Sequence, residues 1–352
     1  MTSAARRILF FLVLFPIFPL SAQTDAPDAH APIGVMGDHL HHAGEFMISY
    51  RYMQMRMDGN LLGDDSISPE QIVTTVPNRF ANPPMMPPTL RVVPESMDTG
   101  MHMVGLMYAP SDRVTLMGMV NLVDKEMDHI TFQGPMGTNR LGKFTTETDG
   151  MGDTRLAALV GLINEPDRKL ILNLGLSIPT GDIEETGQIL TPMNTTPSPR
   201  LPYPMQLGSG TWDAEPGLTY IRHAGRFGWG SQAKYLFRLD ENDESYTLGD
   251  QFTWSNWGSY RLNENFSASL RLTWTALDSI DGIDPAIAAP VQTADPDNQG
   301  GDRLDLGIGL NSIWAGNHRV SLEYETTINQ DVNGVQMEME SMLTLGYQLA
   351  FE

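Results

Sequence analysis

The chain has no cysteine, few cations and, beyond its first twenty or so residues, no long apolar run. Each absence excludes something. Without cysteine there is neither a disulfide framework nor a thiolate metal site. With 22 lysines and arginines against 43 aspartates and glutamates the formal charge is -21, a balance that disfavours nucleic acid and anionic surfaces and favours cations. No later stretch approaches the roughly eighteen unbroken apolar residues of a membrane helix, so a membrane protein built from this sequence must cross as strands. Also missing are a phosphate-binding glycine loop, a zincin motif, paired carboxylates at a defined spacing, and a serine placed to work with a histidine. His102 has no such partner, and an enzyme is not expected.

What is present divides into three parts. Arg6 and Arg7 precede an apolar run over residues 8–20, and Ser21, Ala22 and Gln23 follow; this is the layout of a secretory signal over residues 1–22. Its removal takes away two arginines, moving the charge from -21 to about -23. Residues 23–44 are polar and irregular, with His30, His39, His41 and His42, and are expected either to hang below a barrel or to fold up into it. Residues 45–352 alternate with a period of two. In EFMISYRYMQMRM (45–57), Phe46, Ile48, Tyr50 and Tyr52 fall on one side, and Met47, Ser49, Arg51, Met53, Met55 and Met57 on the other.

Twelve such segments recur, starting near residues 45, 99, 113, 151, 168, 212, 227, 247, 264, 303, 318 and 340. The links between them alternate long and short, as outer loops and inner turns of an outer-membrane barrel do, and an even count returns both termini to the periplasmic side. The expected fold is therefore all-β: a transmembrane antiparallel barrel of about twelve strands, apolar side to lipid. Residues 58–98 and 124–150 are expected to be outer loops, with His129 in the second.

Parity assigns to the lumen Arg51, Asp153, Arg155, Asp213, Glu215, Lys234, Arg238, Arg271, Asp305, Glu323 and Glu325. Their plain role is cross-lumen pairing that stiffens the wall; the sharper one is a selective constriction. The acidic loops 239–246 and 276–302 either collect divalent cations or are simply solvated. Methionine is locally enriched, 16 of 22 lying between Met36 and Met151. Met53, Met55, Met57, Met101, Met103, Met117 and Met119 are candidate thioether ligands for Cu(I) or Ag(I), or a forgiving lining for hydrophobic molecules, or packing. His39, His41 and His42, with Asp38 and Glu45, are candidates for Cu(II), Zn or Ni, or are solvated.

The strings GDHLHHAGEFMISYRYMQMRMDGN (37–60), MHMVGLMYAPSDRVTLMGMV (101–120), GMGDTRLAALVGL (150–162), LSIPTGDI (176–183) and GSGTWD (208–213) resemble the transporter-like outer-membrane barrel family named for the meta-cleavage pathway of phenol degradation. The resemblance implies an outer-membrane, porin-like barrel and passage of aromatic or other hydrophobic compounds. Expected partners are outer-membrane lipid and lipopolysaccharide, the assembly machinery that inserts barrels, and a small-molecule or metal cargo. Three functions follow: a narrow channel with a methionine-rich, charged lumen, a soft-metal binding or export barrel, and a structural surface barrel without cargo.

Overall fold

The structure, a computed structural model, describes residues 26–315 and 317–351. The signal assigned to residues 1–22 lies outside them. In chain order the elements are β1 (Phe46–Gly63), β2 (Asp65–Ser66), α1 (Pro69–Thr75), β3 (Val92–Ser111), β4 (Val114–Phe132), β5 (Arg140–Met151), β6 (Thr154–Asn164), β7 (Arg168–Ile178), β8 (Asp213–Ala224), β9 (Phe227–Arg238), β10 (Tyr246–Thr247), β11 (Gln251–Arg261), β12 (Phe266–Leu277), β13 (Asp281–Gly282), β14 (Gly301–Trp314) and β15 (His318–Phe351). No helix among the described residues is long and apolar enough to cross a membrane.

Every strand of the wall is antiparallel to its neighbours, in the order β15, β14, β12, β11, β9, β8, β7, β6, β4, β3, β1, and β1 pairs β15 to close the ring. Strand β15 serves twice. Its first part pairs β14 from Trp314 opposite His318 to Gly301 opposite Val332. After Gly334, with φ +64°, its second part runs back along β1 to Phe46 opposite Phe351. Eleven continuous strands thus cross the wall twelve times. Closure leaves no edge whose peptide groups would face hydrocarbon unpaired.

Orientation of the faces follows the period. On β12, Leu270, Leu272 and Trp274 are exposed, while Ser267, Ser269, Arg271 and Thr273 are buried. Rings gather at two levels of the outer surface. Phe46 packs on Tyr108 and Phe351, and Phe266 on Trp314, near the short turns; Phe252 meets Trp274 nearer the other end. Phe266 and Trp274 are eight residues apart, roughly 26 Å at ~3.3 Å per residue, comparable with the ~25 Å apolar band between aromatic girdles.

The expected loop 124–150 is largely strand instead, and 58–98 is strand at both of its ends. β1 runs on to Gly63, β3 begins at Val92, β4 reaches Phe132, and β5 occupies residues 140–151. Here the faces invert. Asp98, Glu126, Asp128, Glu147, Asp149, Glu338 and Glu340 point outward, and Met97, Met127, Met337 and Met339 point inward. Above the bilayer the surroundings are water, so the wall adopts the patterning of a soluble barrel. His129 is part of this extension, buried in β4 with its ring stacked on Phe144 at 4.6 Å, and not a loop residue.

This inversion predicts two different costs for the same charge. Leu272→Arg, near mid-band, should lower folding stability by about 2–4 kcal/mol, and Glu126→Arg, on the wet extension, by less than ~0.5 kcal/mol. Urea titration of folding into phospholipid vesicles measures both, and equal losses would mean that the band is misplaced.

Candidate functional site: a plugged lumen with a methionine chamber

Residues 26–45 fold up into the barrel. Asp28, Ala31, Ile33, Val35, Asp38, His39 and His41 are all buried there, and the segment is held by wall residues from most of the circumference. Ser267 Oγ donates to Pro27 O, Arg261 Nε to Asp28, Arg319 to Ala31 O, and Arg51 to Ile33 O at 3.0 Å. Gln232 donates to Met36 O, Asn173 to Gly37 O, and His41 N to Thr115 Oγ1. Trp257, which faces inward, packs against Ala31 and Val35. These partners are mostly the small polar residues that parity places inside the wall, so the lumen is lined to accept a backbone.

Two glycines let the plug lie that close. A Cβ at Gly34 would stand 2.1 Å from Arg271 Nη2 and 2.7 Å from Glu323 Oε2. Gly37 has φ +76°, and a Cβ there would meet Asn173 Nδ2 at 2.7 Å. The Gly34 N–H donates to Glu323 Oε2 at 2.7 Å, so the plug backbone sits directly on the wall's ion pair.

Of the lumen charges expected from sequence, Arg271, Glu323 and Glu325 form one buried group, with Arg271 Nε 2.8 Å from Glu323 Oε1 and Nη1 donating to Thr273. Lys234 pairs with Glu215, and Arg155 stands 3.9 Å from the same carboxylate. Arg238 pairs with Asp213, and Arg303 with Asp305. Arg51 has gone to the plug. Asp153 does not line the lumen; in the break between β5 and β6 it accepts from Gly181 N, Ser209 N and Ser209 Oγ, anchoring both ends of the loop over residues 179–212. The acidic loops are partly neutralised: Asp284 and Glu244 pair with Arg200, and Asp295 and Asp297 with Arg79.

The predicted methionines line the wall but do not meet at one point. Met53 stands opposite Met101, whereas Met117 stands opposite Met107, six residues further along β3, or roughly 20 Å. Met103 is opposite Arg51 and Asn121, Met119 opposite Gly105, and Met55 opposite Met342 and Thr99. No single ion reaches this set. A different group converges at the outer end, where Met57, Met97, Met127, Met205 and Met337 pack with Leu201. Sequence reading missed Met97 and Met205 because one lies in the inverted extension and the other in a loop.

Met57, Met97, Met127 and Met337 line a chamber of about 410 Å³ shared with Tyr203, Leu248, Ile280, Val335 and Met339 and with the charged Arg238, Asp278, Asp302 and Arg303. Lys125 crosses beneath its roof, donating to Pro204 O and Gln206 O, and Thr148 donates to Met205 O. The outer mouth is therefore covered by a loop tied inward, above a space large enough for a single aromatic ring.

At the other end of the plug the histidines separate. His42 is exposed, 3.6 Å from Asp112. His39 and His41 are buried, and His30 joins them: ring centroids are 4.4 Å apart for His30 and His39 and 4.9 Å for His39 and His41. Burial, reinforced by Arg319 and His39, holds the His30 pKa well below its usual value, and burial pushes His41 down to about 3. Burial works against the Asp38 charge too, but the His39 and His30 rings outweigh it and keep that carboxyl well below the ordinary carboxylate range.

The family model described as "Putative MetA-pathway of phenol degradation" matches residues 114–339, more than half of the chain. The chain belongs to that family. Among solved structures, an outer membrane channel from Pseudomonas putida F1 is similar with a TM-score of 0.56 at 14% identity, over 94% of this chain and 100% of that one. At that identity the likeness concerns the fold alone. The beta domain of the Bordetella autotransporter BrkA (TM-score 0.48, 11% identity, 88% and 100% covered) and the P. putida toluene transporter TodX (0.39, 10%, 94% and 96%) are more distant and add nothing to the argument. A search of curated proteins gives no match.

The Arg271 group yields a stability prediction. Arg271→Met leaves Glu323 and Glu325 buried without a counter-charge and should cost about 3–5 kcal/mol. The triple variant Arg271→Met, Glu323→Gln, Glu325→Gln should recover most of it. Urea midpoints in vesicles decide, and a single variant as stable as the parent would show that water already reaches these carboxylates.

Proposed function

We propose that the protein is an outer-membrane channel for small hydrophobic molecules, single-ring aromatics foremost, which bind first in the methionine chamber and are held back by the N-terminal plug. The observation that carries this is the stacking of the two along one lumen: a chamber with one thioether wall at the loop end and a hydrogen-bonded segment at the short-turn end. The family's association with phenol degradation supports the cargo class, and the fold shared with an outer membrane channel supports the membrane. In this reading the short turns and both termini are periplasmic.

The chamber suits such a cargo physically. Thioethers are polarizable and unbranched, so they make dispersion contacts with flat apolar molecules of varied shape. Below it the lumen turns polar, and a hydrophobic molecule must leave its site for a wetter passage, which favours weak binding and release. A second reading draws on the same group, since Met57, Met97 and Met127 are cross-strand neighbours able to hold Cu(I) or Ag(I).

Deleting residues 26–44 should convert a nearly silent protein into one with large steady conductance in planar bilayers, and Gly34→Val should raise the frequency of openings with the plug still attached. Met337→Asp, which places a carboxylate in the chamber, should weaken phenol binding about tenfold or more, read by calorimetry in detergent. A plug-deleted barrel that conducts no better than the parent would end the channel reading. Silver binding that survives Met57→Leu, Met97→Leu and Met127→Leu together would end the soft-metal one.

A further inference from the structure

The cluster inside the plug is built in a way that plug seating does not require. His39 Nδ1–H donates to Asp38 Oδ1 at 2.8 Å, which fixes the ring's tautomer and leaves Nε2 as a lone pair. That Nε2 is buried and has no hydrogen-bond partner, and neither does His41 Nε2. An imidazole could avoid this cost by facing water, as His42 does. Asp38 Oδ2 accepts from Ala31 N and stands 3.8 Å from His30 Nδ1. One ligand atom each from His30, Asp38 and His39 falls within 4.8 Å of the others.

We infer that His30, Asp38 and His39 form a binding site for one divalent transition-metal ion of the Zn2+ or Cu2+ class, which locks the plug in its seated shape. Two imidazoles and one carboxylate are the donors such ions take, and they do not suit calcium or magnesium. Tetrahedral coordination needs donor atoms roughly 3.3 Å apart, so binding opens the His39–Asp38 hydrogen bond and turns the His39 ring to bring its free lone pair to the ion beside the Asp38 carboxylate. His41 is the adjacent imidazole and the natural fourth donor. A cavity of about 110 Å³ between plug and wall, lined by His30, His41, His42, Glu45 and His318, gives an ion a path from the short-turn end. Arg319 and Lys169 border this space; Arg319 is engaged with Ala31 O, Gln348 and Asn311, and the Asp38 and Glu45 carboxylates oppose the two cations.

The ligands span residues 30–39, and contacts with the wall lie within and on both sides of that interval: Asp28 to Arg261, Ile33 to Arg51, Gly34 to Glu323, Gly37 to Asn173 and His41 to Thr115. An ion that binds only the folded segment therefore preorganises all of them. At a free concentration 100-fold above its dissociation constant it reduces the unseated population about 100-fold. The lock rests on the plug being the gate of a channel; the site does not.

The test uses the full-length mature protein in detergent, freed of metal by chelation and titrated with Zn2+ by calorimetry, with Co2+ as a spectroscopic probe of coordination. One ion should bind per chain, affinity should fall at least 100-fold in His39→Ala and Asp38→Asn, and His42→Ala should match the parent. Heat-modified mobility on gels establishes that each variant is folded. The absence of Zn2+ binding by the parent, or undiminished binding in both variants, would overturn the site. In planar bilayers Zn2+ should suppress the openings of the parent and leave Asp38→Asn unaffected; binding without any change in openings would overturn the lock. Failure of the plug-deleted barrel to conduct would instead count against the channel, with the calorimetric result intact.

Discussion

Everything in this protein depends on the seam where β1 meets the second part of β15. Inside a bilayer a peptide group has no water to turn to, and an unpaired strand edge there is prohibitive. Pairing Phe46 with Phe351 and on up to Gly63 converts a twisted sheet into a ring. Closing it at twelve passes sets the bore, which is wider than side chains alone fill and narrower than an open porin. The lumen must therefore be occupied by something, and this chain supplies three occupants: an ion-paired belt around Arg271, a backbone plug, and a pack of methionines under the loops.

The strand pattern was legible in the sequence wherever one solvent ruled. Between the girdles, grease outward and polarity inward is a contrast that no soluble core mimics, and segments such as 227–238 and 264–275 stand out on their own. It was illegible where the solvent changed. MEME at 337–340 and KEMDHI at 125–130 alternate as strictly as any membrane strand, but with acid on the outer face and sulfur or imidazole within. A criterion that asks for an apolar lipid face reads these as loop. One strand thus carries two opposite patterns, and the point of inversion marks the membrane surface.

The site was less legible than the fold, for a reason of distance. Gly34 and Glu323 are 289 residues apart in sequence, and Arg261 and Asp28 are 233. Nothing local to HLHH announces that His39 and His41 are sealed inside while His42 stays in water, because that depends on where Thr115 and Asn173 lie on a wall folded later. Likewise Asp153 looked like a lumen charge by parity. The break at residues 152–153 removes it from the count, and the carboxylate turns to hold Ser209 instead. Parity predicts a side chain's face only while the strand stays regular.

The kinds of contact also rank the motions open to the molecule. Wall strands are tied by ladders of backbone bonds with a hydrocarbon surround, so separating any two would expose peptide groups to lipid. The plug is tied by isolated bonds from side chains to its carbonyls and amides, and only a few apolar residues, Ala31, Ile33 and Val35 among them, are fully covered. When it leaves, Arg51, Arg319 and Glu323 face a lumen that water can enter, so each lost bond is exchanged for hydration and the net cost per bond is about 0.5–1.5 kcal/mol. Ten such bonds make a plug that is far easier to move than the wall. The weak contacts are thus gathered around the plug and the strong ones in the wall.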